Sequence, residues 1–329
     1  MKKWLGLFYI IFLFTILVVI VLNYGQIKKL YFILTSARPE FVILAMFLQL
    51  FNFVLIALSY KTILKALSYK VSFMKLLNLS IVITSLNSIY PSMSVLGNTA
   101  LFHSLKEHHK VDDGKILITI TLYVISVIIS FIAILLVSLF LFILSKDLGN
   151  FDLFLLIANT LLVIVILSLI FSFARNKKIF VELIECILSN VFKLFKRRFN
   201  TKKFYEIIYD YYHGAKMIKS DKKHFLTPIL LLLVKHLIDI LSIYIIFYAL
   251  NLKISFLVIV FGIAIANLIS TISFIPSGIG IFEFGMAGSF AALGINLGIA
   301  ISAVLLFRLI SLWIPVLLGF ILYKPTLKV

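Results

Sequence analysis

Residues 273–290 read SFIPSGIGIFEFGMAGSF, an apolar run broken by Pro276 and by Gly278, Gly280, Gly285 and Gly288, with the carboxylate of Glu283 set between two phenylalanines. Proline removes a backbone donor and crowds the preceding turn, and glycine costs about 1 kcal/mol in a helix interior. Such a break is expensive in lipid, where backbone groups find no water. It is tolerated where protein or a polar cavity satisfies them.

The surroundings are indeed lipid-like. Of 329 residues 63% are apolar and only 13% charged, with a mean hydropathy of +1.16. A soluble globule has nowhere dry to put that much apolar surface. The composition therefore specifies an all-α polytopic membrane protein. Apolar runs recur along nearly the whole chain, so residues 1–329 form a single integral membrane domain with no room for a separate soluble one.

The N-terminus, MKKWLGLFYIIFLFTILVVIVLNYG, starts like a signal peptide, but its apolar run is as long as a full span and no A-x-A site follows. It reads as a retained anchor. One cysteine, Cys186, excludes an internal disulfide, and no Cys/His pair has structural-zinc spacing. No metal or cofactor is expected. The net charge of +18 suggests nucleic acid at first sight, but the Lys and Arg cluster in loops between apolar runs, where the positive-inside rule puts them.

That rule gives a topology. Apolar runs cover 4–24, 39–60, 76–105 (broken), 116–145, 152–173, 225–250, 255–293 (broken) and 297–323. The densest basic stretch, 174–224, includes Lys177, Lys178, Lys196, Arg197 and Arg198 and is expected in the cytoplasm. Lys2 and Lys3, the loop from Lys61 to Lys75, and Lys324 and Lys328 place both termini and the second loop there too. All can be inside together only if each broken run enters and leaves on one side, as a re-entrant hairpin or as two crossings. Leu76 to Tyr90 reaches only about 22 Å at 1.5 Å per residue, short of a core of about 30 Å, which favours a hairpin there. The expectation is about six full spans plus two broken helical hairpins. A first half at about 1–145 and a second at about 225–323 are joined by the connector 174–224.

The connector is itself amphipathic. In FYEIIYDYYHGAKMI, 204–218, apolar and aromatic residues return at helical spacing, and IFVELIECILSNVFKLF, 179–195, does so less cleanly. Such helices lie in the membrane interface against anionic head groups or pack on their own bundle. Both readings stand at this point.

The two broken runs are related. Setting Pro91 on Pro276 aligns NSIYPSMSVLGNTALFHSL with ISFIPSGIGIFEFGMAGSF without insertion, matching Pro91-Ser92 to Pro276-Ser277 and Asn98 to Glu283. The same offset sets Tyr123 opposite Arg308. On the charge topology the first segment opens inside and the second outside, so the halves are inverted. Paired interrupted segments in inverted halves point to a binding site near the midplane.

The chain has 13 acidic residues, of which only Asp239 and Glu283 fall well inside apolar runs. A charge at mid-bilayer costs about 3 kcal/mol on insertion scales, so such residues are functional candidates. Arg308, in the last span, is the partner expected for Glu283, because pairing offsets the desolvation of both. Lys235 and Asp239, four apart, share a helical face and form a candidate intramembrane ion pair. Alternatively Lys235 and His236 snorkel toward the cytoplasm and Asp239 bonds a neighbouring helix. The stretch HSLKEHHKVDDG, 103–114, matches no familiar metal spacing and reads as a loop in contact with head groups or water.

With PSGIGIFEFG at 276–285 and FRLISLWIPVLLG at 307–319, the chain resembles the transmembrane region of lysylphosphatidylglycerol synthetases, the flippase-like domain of the multiple peptide resistance factor and its stand-alone relatives. That resemblance implies movement of a lipid or lipid-linked sugar between leaflets, with Pro276, Gly278, Gly280, Glu283 and Arg308 fitting the pattern. The first half departs from it: Gly97-Asn98 stands where a Gly-Glu pair is usual, and Tyr123 where an arginine is usual. The substrate-binding set is then Glu283, Arg308, Pro276, Ser277, Gly278 and Gly280, with Pro91, Ser92, Asn98 and Tyr123 as first-half counterparts. Expected partners are membrane lipids or polyprenyl-linked glycans, anionic head groups at the cytoplasmic face, and a second copy or an envelope enzyme. Nucleic acid is not among them. The expected location is the inner membrane, and the expected role is transport without catalysis. The rival is an accessory subunit that positions a glycosyltransferase or lipid-modifying enzyme.

Overall fold

Long apolar runs bounded by turn residues become helices throughout the described part of the chain. The computed structural model describes residues 37–89, 95–144, 200–220, 222–272 and 280–327, with 181, 182, 185 and 189 of the connector. The runs 4–24 and 152–173, the residues Pro91, Ser92, Pro276, Ser277 and Gly278, and most of 174–199 with Cys186 lie outside the described residues.

The first half contributes α1 (Pro39–Ala66), α2 (Phe73–Ile89), α3 (Val95–His109) and α4 (Asp113–Leu144), and the connector contributes α5 (Thr201–Ser220). The second half contributes α6 (Lys222–Ala249), α7 (Phe256–Ile272), α8 (Ile281–Ala292), α9 (Leu297–Arg308), a π-helical turn (Leu309–Trp313) and α10 (Ile314–Leu327). Among the described residues four stretches, Pro39–Ala66, Asp113–Ser138, Lys223–Ala249 and Leu297–Tyr323, are long and apolar enough to cross a bilayer. This is a polytopic membrane protein.

The offset that sets Pro91 on Pro276 is 185 residues (276 − 91). It carries α1 onto α6, α2 onto α7, α3 onto α8, and α4 onto α9 with α10, each within a few residues of their ends. The related helices α1 and α6 pack on each other, α2 packs on α3, α7 on α8, and α2 crosses to α10. Two separate apolar cores result. One gathers Phe247, Met286, Phe290 and Leu306 of the second half, the other Tyr60, Leu64, Leu101 and Ile116 of the first.

Turn chemistry sets the helix ends. At Ser68, Asn251 and Gly294 the backbone is left-handed, with φ of 69°, 60° and 90°. The residue after each donates back five positions, to the carbonyls of Leu64, Phe247 and Phe290. These are the bonds that satisfy the last orphan carbonyls of a helix. The π-helical turn has a local cause in Pro315. Proline has no N–H to give to the carbonyl four residues earlier, and Ile314 donates five residues back, to Leu309, so the ladder is carried past the break.

One expectation is revised. The stretch 103–114 is not a loop: α3 continues through His109, the chain turns at Lys110 (φ 50°) with Val111 donating to the Leu105 carbonyl, and α4 opens at Asp113. Leu101 and Leu105, fully buried, hold this end of α3 in the first core. The amphipathic helix α5, one of two readings left open, packs on the base of α4. A Cβ on Gly114 would stand 2.3 Å from Asp210 Cβ and 2.6 Å from the Ile207 carbonyl oxygen, so the backbones meet closely there.

Candidate functional site

Gly280 closes the broken run with φ 85°, a conformation that side-chain-bearing residues avoid, and α8 begins after it. That places Glu283 in the first helical turn, where it reaches back and accepts a 2.6 Å bond from the Gly280 N–H through Oε2. The arrangement satisfies one orphan donor and sets a negative charge at the positive end of the helix. The other oxygen, Oε1, accepts from Nε of Arg308. The guanidinium also lies over the Phe282 ring, 4.3 Å from its centroid, and Arg308 is only 9% exposed. One carboxylate thus joins the mouth of α8 to the end of α9.

A second charged group sits on α6. Asp239 Oδ2 accepts from Lys235 Nζ at 2.7 Å. Its Oδ1 accepts from two amides of α1, Gln49 Nε2 at 3.1 Å and Asn52 Nδ2 at 2.9 Å. Gln49 Nε2 also donates to Ser242 Oγ, and Asn52 Nδ2 to Gln49 Oε1. Asp239 therefore both pairs with Lys235 and bonds the neighbouring helix. Among the described residues the buried Asn52 Oδ1 has no hydrogen-bond partner.

The two groups meet in one cavity of about 180 Å³. Gln49, Asn52, Phe53 and Ile56 of α1 and Thr84 of α2 line its first-half side. Lys235, Asp239, Ile263, Asn267, Phe282, Phe307 and Arg308 line the other, with Ser311 of the π-helical turn and Pro315. It occupies the seam between the two apolar cores. Its walls hold two cations, Lys235 and Arg308, and one carboxylate, Asp239, while Glu283 bonds Arg308 from outside the lining. Such a space can take a small polar group that leaves an apolar tail outside.

The first-half counterparts are arranged differently. Tyr123 is stacked on Tyr60, with ring centroids 4.4 Å apart, and among the described residues no hydrogen bond joins it to Asn98. Helix start α3 is tied instead by Asn87, whose Oδ1 accepts from the Gly97 N–H at 2.9 Å. The site is thus asymmetric in charge and in bonding.

Two carboxylates of the 103–114 stretch, Asp112 and Asp113, are engaged locally. Lys106 pairs with Asp113 at 2.7 Å, and Lys115 with Asp112 at 2.8 Å, with the Tyr69 hydroxyl donating to Asp112. The hydrogen bond from Lys115 holds the Asp112 carboxyl below its ordinary value.

Gln49 and Asn52 were not singled out from the sequence. Their signal was present, two amides three apart in an apolar span and hence on one helical face. They carry no charge, and charge was the guide.

The chain has relatives among known proteins. Residues 4–319 match the family described as Lysylphosphatidylglycerol synthase TM region. The chain is similar to a UPF0104 membrane protein of Methanocaldococcus jannaschii, 26% identical over 308 residues, which cover 92% of this chain and 89% of that one. A UPF0104 membrane protein of Pyrococcus horikoshii is 25% identical over 336 aligned positions, covering 100% of this chain and 98% of the relative. A UPF0104 membrane protein of Methanothermobacter thermautotrophicus is 35% identical over 90 residues, 27% of either chain.

Proposed function

The chain belongs to the family of the lysylphosphatidylglycerol synthase transmembrane region, and from that membership we propose that it moves a lipid or lipid-linked sugar between the leaflets of the inner membrane, without changing it covalently. The head group passes through the cavity at the seam against Arg308, which Glu283 holds in place, and the acyl or isoprenoid tail stays in lipid.

The observation that carries this reading is the seam cavity itself, where the Lys235–Asp239 pair of α6 and Arg308 of α9 face the amides of α1. Charged groups inside a membrane domain belong where a polar path needs them. The fold supplies a path of that kind in the proposed topology. Helices α2 and α3 have 17 and 15 residues, and α7 and α8 have 17 and 12. At 1.5 Å per residue the longest of these reaches about 26 Å, short of a hydrocarbon core of about 30 Å. Each pair is a re-entrant hairpin in this reading. The shared offset of the two halves makes them an inverted repeat, with both termini and the basic connector in the cytoplasm, where that connector draws anionic head groups.

The test is transport by the purified protein in proteoliposomes, with labelled phospholipids and polyprenyl-linked sugars scored by an impermeant reagent. Wild type is expected to expose inner-leaflet label faster than protein-free vesicles, and Glu283→Gln to return the rate to background. No acceleration for any lipid in the panel would sink the proposal and favour a subunit that positions an envelope enzyme.

A further inference from the structure

The seam cavity also carries information on which head group it would accept. Its lining carboxylate, Asp239, is already committed, and so is Glu283, which holds Arg308 from outside the lining. Asp239 accepts from Gln49, Asn52 and Lys235, and Glu283 accepts from Gly280 and Arg308. A lipid ending in an ammonium group needs a carboxylate, and here it would have to displace a cation tethered to the chain. It would also bring a third positive charge into a space already lined by Lys235 and Arg308. Like charges at such separations repel strongly when water is scarce.

The lysine is in a different position. Lys235 has three N–H groups, of which one is directed to Asp239 at 2.7 Å, and its side chain keeps 28% of its surface open. Arg308 lines the same space from α9. A phosphate entering between them lies between two positive charges and gains a charge-assisted bond from Lys235. Asn52 lines the cavity as well, is 4% exposed, and its Oδ1 lacks a donor. The orientation of its amide is fixed, because Nδ2 is needed by Asp239. A hydroxyl supplies the donor that Oδ1 lacks, and a buried acceptor left unmet is costly.

We propose that the cavity selects an anionic phosphodiester head group bearing hydroxyls, held by Lys235 and Arg308 at the phosphate and by Asn52 at a hydroxyl. This rests on the translocator reading for its setting and adds Lys235 and Asn52 as specificity residues. A glycerol, polyol or sugar phosphodiester on a lipid satisfies it, and a head group ending in ammonium does not.

The test is lipid binding by the full purified chain in detergent, followed by native mass spectrometry with phosphatidylinositol, phosphatidic acid and phosphatidylethanolamine, and with inorganic phosphate as a soluble competitor. Phosphatidylinositol is expected to bind about tenfold more tightly than phosphatidylethanolamine and more tightly than phosphatidic acid, as one further charge-assisted or hydroxyl contact implies. Lys235→Met is expected to lose about tenfold in phosphatidylinositol affinity and Lys235→Arg to keep most of it. Inorganic phosphate is expected to compete only weakly, because it lacks the hydroxyl and the tail. Equal wild-type affinity for all three lipids overturns the inference, and that comparison needs no variant to fold. Full competition by inorganic phosphate overturns the lipid as the ligand. Accelerated lipid movement without this selectivity leaves the translocator standing and removes the inference. Selective binding that depends on Lys235, with no movement, does the reverse.

Discussion

Arg308 donates from Nε to the carboxylate of Glu283, 25 residues earlier, so the last turn of α9 is tied to the first turn of α8. Neither charge is well solvated: the Arg308 and Glu283 side chains keep 11% and 19% of their surface. Breaking one side of such a pair strands the other charge, whereas removing both leaves a neutral site.

Arg308→Met is therefore expected to destabilise the purified protein by about 2–3 kcal/mol, somewhat under the fully buried case because Glu283 is partly open. The double variant Glu283→Gln with Arg308→Met is expected to recover part of that loss, giving a coupling of about 1 kcal/mol or more in a double-mutant cycle of denaturation. Additive single effects would mean that the pair contributes no coupling.

The two α1 amides separate by a quantity that only the network explains. Gln49→Leu removes the bonds to Asp239 and Ser242 and is expected to cost about 2 kcal/mol. Asn52→Leu also removes a bond to Asp239, but it eliminates the unpartnered Oδ1 and is expected to cost less, about 1 kcal/mol. A reversed order in thermal unfolding would contradict the assignment of the amides.

Docking of the connector helix depends on Gly114. Gly114→Leu drives its side chain into Asp210 and the backbone at Ile207 and Tyr211, so α5 is expected to detach from α4 and 201–220 to become sensitive to protease. Gly288→Ala, with nothing within 4 Å of the added Cβ, is expected to leave the digestion pattern unchanged.

Acid acts on the same end of the molecule. Asp112 has its carboxyl lowered below 3.8 by the hydrogen bond from Lys115. Its contribution is present above that value and lost as pH falls through the lower folded value. Hydrogen exchange at the start of α4 is expected to rise below about pH 3.8 in wild type. In Asp112→Asn that pH step should disappear.

Orientation is checked by labelling in a Cys186→Ser background. Tyr209, 71% exposed on α5, is expected to react as cysteine only after permeabilisation. Lys253, exposed between α6 and α7, is expected to react as cysteine in intact cells. Labelling of position 209 from outside would reverse the topology.

The sequence by itself determined the class of protein, the positions of most of the described helices, the break before Glu283 and the pairing of Glu283 with Arg308. These are local or nearly local properties: apolar run length, proline and glycine position, and the scarcity of charge in lipid each act within one or two neighbouring segments. It misread 103–109 as loop, because His, Lys and Glu suggest solvent, while Leu101 and Leu105 on the opposite face bind that helix end to the core. Tertiary structure alone decided that Asp239 is held by Gln49 and Asn52, 190 and 187 residues away, and that this cluster opens into the same cavity as Arg308. Neutral amides announce no partner in a sequence. Which of several polar faces on α1 meets α6 is settled only when the two helices pack and each buried donor must find an acceptor.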